Sequence, residues 1–265
     1  SEWNNYSLHR KLMLGLGTHI VSDSKKFDIE DLGIVRDNLV LDHSNYHAEP
    51  VTKVSTGAAS FNGTSDYIAI GAKPVDTADA TYCWWSRSSS ASSQVVFSHG
   101  DTDKGAFHFN HSSGKPLLYL DGPEFQYWSA AETTQQSDGQ WHHWALVVDI
   151  DLPSGSKLYC DGVEITQANN NEAGGANAYG NMEIGRYNDG AYFDGNICNF
   201  GVWSGLLSQA EVKSIMWKNY AQLTGAEKAY KGGLVSWWNL DEETNTSGGA
   251  GTGGVKDHHG SNHGT

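Results

Sequence analysis

Asp138-Gly-Gln-Trp-His-His-Trp-Ala-Leu-Val-Val-Asp149 and, after a Pro/Gly/Ser turn, Lys157-Leu-Tyr-Cys-Asp-Gly-Val-Glu164 decide the fold of this chain. A polar turn feeds a strand through Trp141, and the second strand ends at Asp161-Gly162. Asp-Gly is a two-residue hairpin signal, because both central positions of the favoured turn need positive φ. Outward from this hairpin the same grammar repeats. Phe61 enters a tight Asn62-Gly63 turn, and Tyr67, Ile68 and Ile70 continue as a strand. Short strand-like runs stand at 81–86, 94–98, 105–110, 116–120, 181–187 and 193–203, with a further short one at 38–41. Turns rich in Gly, Asp and Ser separate them at intervals of roughly 8–12 residues, the rhythm of a sandwich or barrel.

One peripheral helix is expected. Ser208-Gln-Ala-Glu211 has the form of a capping box, in which the Ser hydroxyl accepts a first-turn amide while Glu reaches back. Val212, Ile215 and Met216 then recur at helical spacing. Thr224-Gly-Ala-Glu227 offers a cap for a second, shorter helix that ends at Gly232-Gly233.

Composition narrows the function classes. Hydrophobic residues make up 38% and charged residues 18% of 265, enough to bury a core and to argue against global disorder. The formal net charge of −14 repels phosphate backbones and anionic membranes, so nucleic acid is not an expected partner. No apolar run approaches 18 residues, so no membrane insertion is expected. Cys83, Cys160 and Cys198 each sit in a strand-like context and read as small buried hydrophobes.

Several stretches in order resemble the laminin-G-like members of the concanavalin A-like jelly rolls, of the bacterial and phage type. They are Phe61-Asn-Gly-Thr-Ser-Asp-Tyr67, Gly139-Gln-Trp-His-His-Trp-Ala145, Tyr159-Cys-Asp-Gly162, Ile184-Gly185, Phe193 to Trp203 and Leu207-Ser-Gln-Ala-Glu211. The resemblance covers residues 37–215 and implies an all-β fold: a two-sheet antiparallel jelly-roll sandwich with one short peripheral helix. The family's opening strand stands displaced at Gly233-Leu-Val-Ser-Trp-Trp-Asn-Leu-Asp241, and its opening loop occurs both at 41–47 and at 255–265. The expected organisation is an N-terminal arm at 1–32, the sandwich at 33–232, and a C-terminal strand and loop at 233–265. That last segment completes this sandwich, adds to a neighbour's, or begins a second domain. The first option is favoured, because an unpaired Trp-rich edge is an aggregation hazard.

The resemblance implies glycan or protein binding, and for a minority of members polysaccharide cleavage. The Glu-x-Asp-x-x-Glu strand of the family's glycosidases is absent, and Asp149-Ile-Asp151 is a poor substitute at a strand end. The expectation is therefore a non-enzymatic recognition or assembly module: a capsid or tail decoration protein of a virion, or an adhesion protein, with glycan binding. The alternatives are a freestanding cell-surface carbohydrate-binding domain and, third, an enzyme. Its place would be extracellular or on a virion surface, its partners glycans or other structural proteins, and it would act as a homo-oligomer or part of an assembly. Two aromatic–polar clusters suit sugar stacking: Glu124, Phe125, Tyr127 and Trp128, and Arg186, Tyr187, Asn188 and Tyr192. Members of this family often hold Ca²⁺, for which the oxygen donors here are Asp42, Asn62, Asp66, Asp189 and Asp194; the same residue types also form turns. His258, His259 and His263 read as loop residues rather than a metal site.

Overall fold

The computed structural model describes residues 55, 57–76, 78–100, 104–121, 125–171, 179–187, 190–242 and 254–265. The arm expected at 1–32, the strand at 38–41, the loop at 41–47 and the site candidates Asp42, Glu124, Asn188 and Asp189 lie outside these residues.

Among the described residues, two antiparallel sheets of seven strands each form the sandwich. The first sheet runs β1 (Ala59–Asn62), β13 (Asp194–Ser204), β3 (Ala80–Arg87), β8 (His142–Val148), β9 (Lys157–Cys160) and β10 (Val163–Glu164), with β14 (Gly233–Trp238) also on β13. The second runs β11 (Gln167–Asn171), β7 (Phe125–Trp128), β6 (Lys115–Asp121), β5 (Lys104–Asn110), β4 (Gln94–Ser98), β12 (Glu183–Ile184) and β2 (Ile68–Ala69). The β9–β10 hairpin closes through Asp161 and Gly162, whose φ values of 50° and 75° are the pair that Asp-Gly favours.

Trp84, Phe97, Phe107, Trp144, Phe200 and Trp238 fill the space between the sheets. Trp84 stacks on Phe200 at 5.8 Å and meets Phe107 edge-on at 5.4 Å. The first sheet is buried on its other face as well. There Cys83, Tyr159, Trp203 and Trp237 pack with Val212 and Ile215 of α1 (Gln209–Ile215). This double burial explains the nearly unbroken apolar run in β3, which a one-sided strand would alternate with polar residues. α1 carries the expected capping box on Ser208 and Glu211, and the shorter α2 (Gly225–Lys228) carries one on Thr224 and Glu227. All three cysteines are buried and free, and burial pushes their thiols well above the usual range.

β13 is long enough to pair two strands end to end on one edge. β1 takes its first part, from Asp194 to Ile197, and β14 its second, from Phe200 to Ser204. β14 is thus paired within its own chain. Beyond it, Asp257 accepts a hydrogen bond from the Trp237 amide, and Thr265 exchanges both backbone hydrogen bonds with Ala69 of β2. The C-terminal segment therefore touches both sheets.

Candidate functional site

The second sheet buries Phe107 and Phe109 of β5, Leu118 and Leu120 of β6, and Trp128 of β7 in the core. Strand alternation turns His108, Tyr119 and Tyr127 to the opposite face. The register sets His108 beside Leu117 and Leu117 beside Tyr127, one row across three strands. His111, in the tight β5–β6 turn, adds a second imidazole. Its ring lies 5.3 Å from that of His108 and 5.8 Å from that of Tyr127. The Tyr127 hydroxyl meets His111 Nδ1 at 3.2 Å. Tyr119 packs edge-on against both imidazoles, at 5.8 and 6.2 Å, and Tyr187 against His108 at 5.6 Å. Lys115 lies over the Tyr127 ring at 5.7 Å.

Electrostatics keep the imidazoles of this cluster neutral. Burial, and then the neighbouring His111, push the pKa of His108 down to about 3. Burial also lowers that of His111. His108 is 5% exposed, and among the described residues neither of its ring nitrogens has a hydrogen-bond partner.

A second group continues the face toward β2. Arg186 lies 3.5 Å over the ring of Tyr67, which is 39% exposed. Its guanidinium pairs with Glu183, and Tyr192 hydrogen-bonds to it as well. Ser98 Oγ donates to the Arg186 carbonyl at 2.7 Å, which ties this segment to β4.

The fold therefore unites parts of the two clusters that the sequence kept apart. Tyr127 comes from the first, Arg186, Tyr187 and Tyr192 from the second, and His108 and His111 link them. Trp128 does not join. It is fully buried and meets Phe107 edge-on at 6.2 Å, because alternation turns it inward when Tyr127 faces out. Phe125 pairs with Tyr119 along the backbone. Sequence reasoning missed His108, His111, Tyr119 and Tyr67. The available signal was Phe107-His108-Phe109, in which two core-facing rings imply an outward imidazole.

Three of the five calcium candidates, Asn62, Asp66 and Asp194, fall among the described residues. Asn62 lies opposite Asp194 in the β1–β13 register, and Asp66 ends the same turn. The Asn62 carboxamide oxygen accepts from the amides of Thr64, Ser65 and Asp66 and from the Thr64 hydroxyl. That oxygen is used up by the turn, so Asn62 does not fit a ligand role. Asp66 and Asp194 are exposed. Asp149, the other acidic candidate, accepts from the Leu152 amide and shapes the turn before β9.

The family model of the concanavalin A-like lectin/glucanases superfamily matches residues 62–213, more than half of the chain. The chain belongs to this superfamily. A candidate carbohydrate-binding protein from Bacteroides ovatus is similar in structure, with a TM-score of 0.56 at 18% identity over 78% of this chain and 57% of that one. This chain thus spans a little over half the length of that protein, and at this identity the likeness is one of fold. A heptameric SAP-like pentraxin from Limulus polyphemus overlays with a TM-score of 0.49 at 18% identity, over 59% of this chain and 80% of that one. Domain 4 of an extracellular arabinanase from Geobacillus stearothermophilus, solved with arabinotriose, overlays with a TM-score of 0.46 at 20% identity, over 60% and 76%. No curated protein matches the chain with significance. Among the described residues, no helix is long and apolar enough to cross a membrane.

Proposed function

We propose that the chain is a non-enzymatic recognition module that binds an uncharged glycan on the outer face of its second sheet, displayed on a cell or virion surface. One observation carries the reading: Tyr119 and Tyr187 pack on His108, Tyr127 packs on the adjoining His111, and the ring nitrogens of His108 meet no partner among the described residues. Sugar rings present C–H faces that stack on aromatics, and their hydroxyls both donate and accept, as a neutral imidazole does. The net charge of −14 disfavours polyanionic glycans. The description of the Bacteroides ovatus protein supports the same ligand class. The arm at 1–32 and the displaced Trp-rich strand are the sequence grounds for an assembly role; the arm lies outside the described residues, and the strand pairs with β13 of its own chain.

The test is a glycan array on the full chain, followed by calorimetry of the best hit with Tyr127→Ala and Tyr187→Ala. Each should weaken binding about five- to tenfold, the worth of one aromatic contact. An array without hits, or hits that both variants retain, overturns the reading. Release of reducing ends from the bound glycan overturns its non-enzymatic part.

A further inference from the structure

The floor of this face holds two adjacent imidazoles, one of which has no hydrogen-bond partner among the described residues. His108 is buried, and its two ring nitrogens meet no donor or acceptor among the described residues. Such a group is destabilising unless something else satisfies it. His111 stands beside it with the rings 5.3 Å apart and 75° from coplanar. Two imidazoles bound at about 2.0–2.1 Å to one tetrahedral ion have centroids about 5 Å apart, so the ring spacing is compatible with a shared ion. His111 Nδ1 faces the Tyr127 hydroxyl, which leaves Nε2 for an ion. Metal-binding histidines are characteristically held this way, with the other ring nitrogen on an outer partner that fixes the ring. Tyr119 walls in both rings.

We propose that His108 and His111 bind a divalent late transition metal, Zn²⁺ or Cu²⁺, on the outer face of the second sheet. Imidazole nitrogen suits these ions, whereas Ca²⁺ takes oxygen. The pair supplies two ligands, and water or a ligand hydroxyl completes the shell. The ion would hold His111, and through it Tyr127, in the stacking arrangement. Another histidine cluster, His142, Cys160 and Asp161, has ligand atoms within 4.8 Å of one another, but His142 is engaged by Asp161 at 2.7 Å and by Asp138 at 3.1 Å. It reads as a strut, not a vacant site.

Metal binding is measured without any sugar, so it stands or falls separately from the glycan reading. Chelator-stripped full chain is titrated calorimetrically with ZnCl₂ and with CuCl₂, beside His108→Phe, His111→Phe and a His258→Ala/His259→Ala double variant. The expected result is one ion per chain for the parent and the double variant, and loss of that site in both Phe variants. Metal-free His108→Phe should melt no lower than the parent, since a ring of similar shape replaces an unsatisfied one. Added Zn²⁺ should raise the melting temperature of the parent and of the double variant, but not of the Phe variants. His111→Phe, on a half-buried turn, serves if His108→Phe fails to fold. No binding by the parent, binding that both Phe variants keep, or binding lost only with His258 and His259 overturns the proposal.

Discussion

Removing the Asp257 carboxylate should detach the C-terminal segment from the sandwich. Its Oδ1 accepts from the amides of Trp237, His259 and Gly260 at 2.9–3.0 Å, and its Oδ2 from Asn262 at 3.0 Å. The residue is 2% exposed. A charge-assisted bond contributes about 1.5–3 kcal/mol, but four on one carboxylate do not add. In Asp257→Ala the Trp237 amide stays buried without a partner, at about 1–3 kcal/mol, while the outer loop amides turn to water at a few tenths to 1 kcal/mol each. The sum is a loss of about 2–6 kcal/mol. That falls within the stability of a typical domain, so the variant should still fold. Asp257→Asn keeps the oxygen that serves three amides and sets an NH₂ against the fourth, for a smaller loss of about 1–2 kcal/mol. Urea denaturation measures both, with an unchanged slope expected if the native state stays intact. Hydrogen exchange at Ala69, bonded to Thr265, should quicken in Asp257→Ala. A loss below about 1 kcal/mol in Asp257→Ala, or an equal loss in both variants, refutes the reasoning.

Two further outcomes are expected. Burial works against charging His142, but the hydrogen bond and charge of Asp161, with the charge of Asp138, outweigh it and raise the His142 pKa. Burial likewise opposes charge on Asp161, and His142 outweighs it and lowers that pKa. The His142 contribution to stability is therefore complete below its unfolded pKa of about 6.5 and is lost as pH rises through the folded value. The Asp161 contribution is present above about 3.9 and is lost as pH falls through its own folded value. An NMR titration that puts His142 at or below the free value would sink this account. Separately, Gly201→Ala should destabilise by about 1–3 kcal/mol through overpacking, because a Cβ there would stand 2.6 Å from the Trp237 ring and 2.8 Å from Trp203. Thermal melting followed by tryptophan fluorescence checks it, and an unshifted melting temperature counts against the packing.

Local chemistry was legible before any tertiary contact was known. Asp161-Gly162 specifies its turn because the two residues tolerate positive φ. Ser208 and Glu211 specify a helix start because their side chains reach amides three residues away. The order of motifs identified the sandwich for the same reason, since each motif is a strand–turn unit complete within a dozen residues. The candidate site was legible only in fragments. Tyr127 and Tyr187 border one cluster only because the sheet order sets β6, β5 and β4 between their segments, and His108 and His111 bridge the two rings. The separation of Tyr127 from Trp128 into face and core depended on register, where one residue of slip exchanges the two. Asn62 offered an oxygen that the turn itself consumed, which only the hydrogen-bond network reveals. Whether β14 pairs at home or abroad is likewise nonlocal: its partner, β13, begins 39 positions earlier in the chain and offers its second half only because β1 takes the first. The sequence by itself determined the turns, caps and alternation, because these are settled among residues within a few bonds of one another. The tertiary structure alone decided which rings meet and which polar atoms are left without partners, because those depend on strand order and register across the whole sheet.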